Sequence, residues 1–258
     1  MKKILLATTA VALSAGVAYA EVTVSGNARM GLQYTDAPAA GAAKTTIEKR
    51  MTVNIDASVE STSGITFGAR MRLRSNENGA TLTTGARVYM KTGGLELAMG
   101  NINGAIESMP GLYDASLGLT GLGWGGLVTN NWDAAGTKAF DGWDAYSSSG
   151  NGAEGIEVTY TAGAFTGHLS YSDNAAGGLS SNGLNSGEER VAAYGAYTMN
   201  DWTFALGLQD SDNNANDKTV VTVGGKIGDY GVGIAYADND GVGKFALNGS
   251  ATFGATTV

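Results

Sequence analysis

From Val22 onward, apolar and polar side chains alternate. Val22, Val24, Ala28, Met30, Leu32 and Tyr34 fall on one face, and Thr23, Ser25, Asn27, Arg29 and Gln33 fall on the other. Next, Ile47, Met51, Val53, Ile55, Ala57 and Val59 oppose Glu48, Arg50, Thr52, Asn54, Asp56, Ser58 and Glu60. Ile65, Phe67, Ala69, Met71 and Leu73 oppose Thr66, Arg70, Arg72 and Arg74. Leu82, Ala86, Val88 and Met90 oppose Thr81, Thr83, Arg87 and Lys91. A period of two with one apolar face predicts a half-buried antiparallel sheet. Weaker alternation predicts strands at about 95–101, 154–162, 164–173, 188–199, 201–210, 218–227, 230–238 and 242–250. That makes twelve complete strands, with part of a thirteenth from about Gly254 to Val258.

The connections alternate in length. Ser61–Gly64, Thr92–Gly94, Ala162-Gly163, Asn200-Asp201 and Gly228-Asp229 read as tight turns. The intervening links at 35–45, 75–80, 101–153, 174–187, 211–217 and 239–241 are mostly longer and polar. Short turns at one end and long loops at the other are the arrangement of an outer-membrane β-barrel. Phe67, Tyr160, Phe165, Tyr197, Trp202, Phe204 and Tyr230 lie near the short-turn ends, and Tyr34, Tyr171 and Tyr236 near the long-loop ends. All ten fall on the apolar face, as two interfacial aromatic girdles require. In a secreted β-sandwich the same residues would be core, but repetition over so many strands favours the barrel.

Composition agrees. Forty of the 258 residues are glycine and two are proline. Glycine costs a helix interior about 1 kcal/mol per residue, so a long helical protein is excluded. Cysteine is absent and histidine occurs once, which excludes a disulfide scaffold, a Cys-type zinc site and a Cys nucleophile. A net charge of −8 argues against nucleic acid as a partner, because phosphate binding needs a basic surface. The first twenty residues read as an export signal. Lys2 and Lys3 precede an apolar run from Ile4 to about Val17, and Ala18-Tyr19-Ala20 is a small-residue cleavage site. Cleavage is expected between Ala20 and Glu21. It leaves residues 21–258 as the mature chain, with a net charge of −10.

Several segments resemble one family. Glu21-Val22-Thr23-Val24-Ser25-Gly26-Asn27-Ala28-Arg29-Met30-Gly31 is similar to the mature start of alphaproteobacterial, Rhodobacter-type general porins. Tyr160-Thr161-Ala162-Gly163-Ala164-Phe165 resembles that family's turn after its third loop. Ala251-Thr252-Phe253-Gly254-Ala255-Thr256-Thr257-Val258 resembles an internal segment near the start of a late strand. The resemblance implies an all-β, sixteen-stranded, water-filled barrel that assembles as a homotrimer among outer-membrane lipid and lipopolysaccharide. It implies a passive channel for small hydrophilic solutes and ions, with no enzymatic activity and no cofactor. Such porins end on an amphipathic strand with a terminal aromatic residue, whereas this sequence stops at Val258 inside the thirteenth strand. About three and a half strands are therefore expected beyond it, roughly 45–60 residues at transmembrane strand lengths.

Arg70, Arg72 and Arg74 share one strand face. On a lipid face each would cost about 2–4 kcal/mol at the bilayer midplane, so they must face water. With Arg29, Arg50 and Arg87 they form a basic wall. The plainer reading pairs these arginines with Glu48, Asp56 and Glu60 across strands. Residues 101–153 form a loop far longer than usual. In the family the third loop folds into the lumen, and Glu107 and Asp114 resemble its acidic constriction segment. Facing the basic wall, they would set up a field across the pore. The loop also carries Asp133, Asp141 and Asp144, with Trp124, Trp132 and Trp143. Its carboxylates are candidate ligands for Ca²⁺, a hard cation that takes several oxygens. Asp210–Asp217 and Asp238–Gly241 read as solvated loop tips.

Two other functions stay open at this level. A barrel hydrolase would need a carboxylate–histidine constellation at the outer rim, yet His168 falls mid-strand on the polar face. A structural or adhesive barrel would use the long loop as a plug. Glycine at many lumen positions favours an open pore instead. The acidic net charge predicts weak cation preference.

Overall fold

The computed structural model describes residues 20–36, 41–76, 81–114, 127–129, 131–132, 138–139, 145, 154–173, 188–212, 216–253 and 256–257. Residues 1–19 of the expected signal lie outside them, as do Asp133, Asp141, Asp144, Trp124 and Trp143.

The alternation builds an antiparallel meander. Its first part runs β1 (Ala20–Tyr34), β2 (Thr45–Glu60), β3 (Thr66–Asn76), β4 (Leu82–Thr83), β5 (Arg87–Thr92) and β6 (Leu95–Gly100). A short ladder, β7 (Asn131–Trp132) with β8 (Lys138–Ala139), lies within the long connection. Then come β9 (Glu154–Ala162), β10 (Phe165–Asp173), β11 (Glu189–Met199), β12 (Trp202–Ser211), β13 (Lys218–Ile227), β14 (Tyr230–Asn239), β15 (Val242–Phe253) and β16 (Thr256–Thr257). Apart from the β7–β8 ladder, and with β4 beside β3, the strands pair in chain order from β1 to β16. The sheet is open, with β1 and β16 at its two ends.

One face of this sheet is apolar and exposed. Leu206, Leu208, Ile234 and Val191 are each about half exposed. Nine of the ten girdle aromatics are exposed on that face, and Trp202 is half-buried. Exposed apolar side chains along a whole sheet face have water as the wrong solvent and lipid as the right one. The opposite face carries the charged side chains and most of the buried residues. Among the described residues no helix is long and apolar enough to cross a membrane.

Tight turns close the short end. Glycines at positive φ hold four of them, including Gly163 at 58° and Gly228 at 61°. In the fifth, Asn200 takes the left-handed conformation at 53°, which Asn tolerates better than most residues. At the long-loop end, Asp217 Oδ1 accepts from the Ser211 N–H at 2.9 Å and Asp238 Oδ1 from the Gly241 N–H at 2.7 Å. Those acids fix loop backbone, beyond simple solvation.

One expectation is corrected. Residues 82–90 do not form one continuous strand. β4 pairs Leu73 with Thr83, whereas β5 pairs Arg70 with Arg87. Three steps on β3 thus face four on its partner, which is a β-bulge. The extra residue reverses the alternation. Leu82 opposes Arg74, on the face opposite Val88, which opposes Ala69. Thr84 pins the bulge, donating its N–H to the Arg72 carbonyl and accepting the Arg72 N–H on Oγ1.

Candidate functional site

The register sets the polar face residue by residue. Arg29 lies directly opposite Arg50, and Arg70 opposite Arg87. Asp56, Asn54 and Thr52 on β2 oppose Arg70, Arg72 and Arg74. All six arginines share the inner face, and several have carboxylate partners. Arg29 Nε lies 2.5 Å from Glu48 Oε1, and Arg70 Nε 2.5 Å from Asp56 Oδ1. Arg50 Nε donates to Asn76 Oδ1 at 2.9 Å. Glu60 opposes Thr66 at the turn end of β2.

Beside this wall lies a polar cavity of about 660 Å³. Arg70, Arg72 and Arg87 line it, whereas Arg29, Arg50 and Arg74 continue the same face outside it. Asp56, Glu96, Glu157, Lys91 and His168 complete its charged and titratable lining. Arg87 is its best-held cation. Its Nη2 donates to Glu96 Oε1 at 2.5 Å and to Glu157 Oε1 at 2.7 Å, and its Nε to Glu157 Oε1 at 2.9 Å. The guanidinium carbon also sits 5.6 Å from the Tyr89 ring centroid, within cation–π range.

The long connection starts along the opposite side of the lumen. Ile106–Ser108 forms one 3-10 turn. Ile106, Met109 and Leu112, spaced by three, are buried against Ala192, Ala196, Ala205, Val220, Ala235 and Ala237 of β11–β14. These wall residues are small because the loop must lie close. A Cβ on Gly207 would come 2.4 Å from Met109 Sδ. Three hydrogen bonds fix the seat. The Ala105 N–H donates to Ser170 Oγ at 2.8 Å, Thr222 Oγ1 to the Pro110 carbonyl at 2.5 Å, and Asn239 Nδ2 to the Val128 carbonyl at 2.9 Å. Many small lumen residues are therefore a docking surface for the loop as well as open pore wall.

Neither loop acid lines the cavity beside the arginines. Glu107 is 6% exposed and is absent from the cavity lining. Ile106, Met109 and Leu112 turn one face of the segment to the wall, and Glu107, next to Ile106, is carried under the loop with them. Asp114 borders a separate cavity of about 520 Å³ with Thr203, Lys226 and Ser250. The carboxylates facing the arginines come from the strands: Asp56, Glu96 and Glu157. Sequence reading did not single out Glu157 or Glu96. Only their place on the polar face of a strand could have signalled them.

His168 lies in mid-β10, opposite Thr159 and Tyr194. Its Nε2 is 3.2 Å from Glu157 Oε2, and its ring meets Tyr194 edge-on at 5.4 Å. Among the described residues no three His, Asp or Glu side chains converge as a metal site. Ala20 and Glu21, the expected cleavage pair, open β1 opposite Val59 and Ser58.

An antiparallel meander, apolar outside and polar inside, with a loop seated on its inner wall, defines a membrane channel of the β-barrel class. Residues 7–258 match the Gram-negative porin family. A porin of Fuscovulum blasticum is 28% identical over 261 residues, covering 92% of this chain and 82% of that protein. Two solved mutant forms of the Rhodopseudomonas blastica porin are each 25% identical, with TM-scores of 0.70 and 0.71. Each match covers 92% of this chain and 82% of that one. The chain belongs to the Gram-negative porin family. It is an outer-membrane general diffusion porin, a channel and not an enzyme in its family character.

Proposed function

We propose that small hydrophilic solutes and ions cross through the cavity between the arginine-bearing strands and the seated loop. One observation carries this reading. The loop turns its apolar side to β11–β14 and leaves polar space of about 660 Å³ on the arginine side. A plugged barrel would fill that space. Residues 101–153 narrow the passage, and Arg70, Arg72 and Arg87 form its basic wall, continued by Arg29, Arg50 and Arg74. Small-solute selectivity then follows from width and from ring charges. Glu107 and Asp114 shape the loop side and contribute less to the field at the arginines.

The mature protein begins at Glu21 after cleavage of residues 1–20, and it works as a homotrimer surrounded by lipid and lipopolysaccharide. Support comes from the Lys2-Lys3 and Ala18-Tyr19-Ala20 pattern, the apolar outer face and the family. The loop carboxylates at 133, 141 and 144 stay candidate Ca²⁺ ligands on the resemblance alone. Liposome swelling with neutral sugars of rising mass tests the passage. Uptake should fall steadily with sugar size. Vesicles that exclude even the smallest sugar would overturn the reading.

A further inference from the structure

We infer that Glu157, a carboxylate of the strand wall, is the residue that sets this channel's ion preference, and that His168 positions it. The inference rests on the passage proposed above. The cavity is lined by four cations, Arg70, Arg72, Arg87 and Lys91, and by three carboxylates, Asp56, Glu96 and Glu157. With His168 neutral, the lining carries a net charge of only +1. Removing one carboxylate doubles it. Removing one arginine takes it to zero, so with so small a net charge each carboxylate weighs as much as an arginine, with opposite sign.

Glu157 is the most deeply set of the three. Its side chain is 6% exposed, against 21% for Asp56 and 32% for Glu96. Oε1 takes Nε and Nη2 of Arg87, and Oε2 lies 3.2 Å from His168 Nε2, within ion-pair range but outside hydrogen-bond geometry. A rim carboxylate is surrounded by water and ions that screen it within about 10 Å at 0.1 M salt. Glu157 has protein behind it and only the cavity ahead, so its field is directed into the passage. The ladder partners of Glu157 leave room for this contact. Ala98 offers no polar group, and Ser170 Oγ is occupied by the loop backbone. His168, braced by Tyr194, is the group that keeps Oε2 turned toward the wall.

The experiment is the reversal potential of the full-length porin in planar bilayers under a tenfold KCl gradient. One charge removed from the lining, partly screened, should lower the K⁺/Cl⁻ permeability ratio of E157Q about threefold. E107Q and D114N should move the ratio less than E157Q does. H168A should shift the ratio, and H168Q, whose amide can reach the same carboxylate oxygen, should restore it. R87Q should raise the ratio, and the isosteric double variant R87Q/E157Q should return it to wild type. That pair decides the matter even if E157Q alone fails to assemble. A conducting E157Q with the wild-type ratio, or R87Q and R87Q/E157Q with equal ratios, would overturn the inference and leave the passage standing. A wild-type protein that inserts and passes no current would overturn the passage and the inference together.

Discussion

Enlarging Gly207 should push the loop off its seat and narrow the channel. Gly207 lies on β12 between Tyr194 and Val220, facing the loop. An added Cβ would sit 2.4 Å from Met109 Sδ and 2.8 Å from Ile106 Cδ1. Nonbonded carbon contacts relax at about 3.5–4.0 Å, so the ridge must retreat by about 1 Å even for alanine. For leucine the displacement is larger, and overpacking of this kind costs about 1–3 kcal/mol. Against it stands the burial of Ile106, Met109 and Leu112, each about 1.5–3 kcal/mol, or about 5–9 kcal/mol together. The seat therefore survives in a shifted position, displaced away from β12 into the lumen. Single-channel conductance of G207L should fall below wild type, and sugar uptake should fall further than salt conductance. The double variant G207L/M109A should recover most of the loss, a coupling that two independent sites would not show. Gly195, on the lipid face of β11, provides the control, and G195L should conduct normally. Unchanged or increased conductance in G207L would refute the seat as the determinant of width.

Further expectations follow from other contacts. Glu188 Oε1 accepts from Arg190 Nε, Ser211 Oγ and Asn216 Nδ2 at 2.7–2.8 Å, so E188A breaks a buried ion pair. It should cost about 3–5 kcal/mol in urea unfolding from vesicles, and a loss under about 1 kcal/mol would contradict the pairing. T222V removes the donor to the Pro110 carbonyl while keeping shape, leaving a buried acceptor unmet at about 1–3 kcal/mol. Open-channel current noise should rise while barrel unfolding stays nearly constant, and unchanged noise would count against the hydrogen bond as a loop anchor. Leu206 is 52% exposed on the lipid face. L206R should destabilise the inserted barrel by about 2–4 kcal/mol, whereas T203R, on the lumen face of the same strand, should cost far less. Equal losses would mean that the faces are assigned the wrong way round.

The strands were legible because lipid demands an apolar residue at every outward position. Val22 through Tyr34 and Tyr230 through Tyr236 carry that demand plainly. The bulge at Thr84 was not legible, because one extra residue changes parity without changing composition, and Leu82 was therefore assigned to the wrong face. The arginine wall could be read from Arg70, Arg72 and Arg74, since charge at period two on an apolar strand has only one place to go. Two of its counterions, Glu48 and Asp56, could be read as cross-strand partners, but Glu96 and Glu157 could not. Glu157 meets Arg87 across 70 residues of sequence, and only the order of the strands brings them together. The seat of the loop was hidden for a related reason. The apolar spacing of Ile106, Met109 and Leu112 is visible in the sequence, but the small-residue wall that receives it is spread over β11–β14.

The account stands or falls on open passage through the folded barrel. The direct measurement is planar-bilayer current from the purified protein at several salt concentrations. Stepwise, ohmic conductance that rises in proportion to bulk salt is the predicted result. A protein that inserts with a folded β-rich spectrum and yet passes no current would contradict the claim and turn the seated loop from a constriction into a plug.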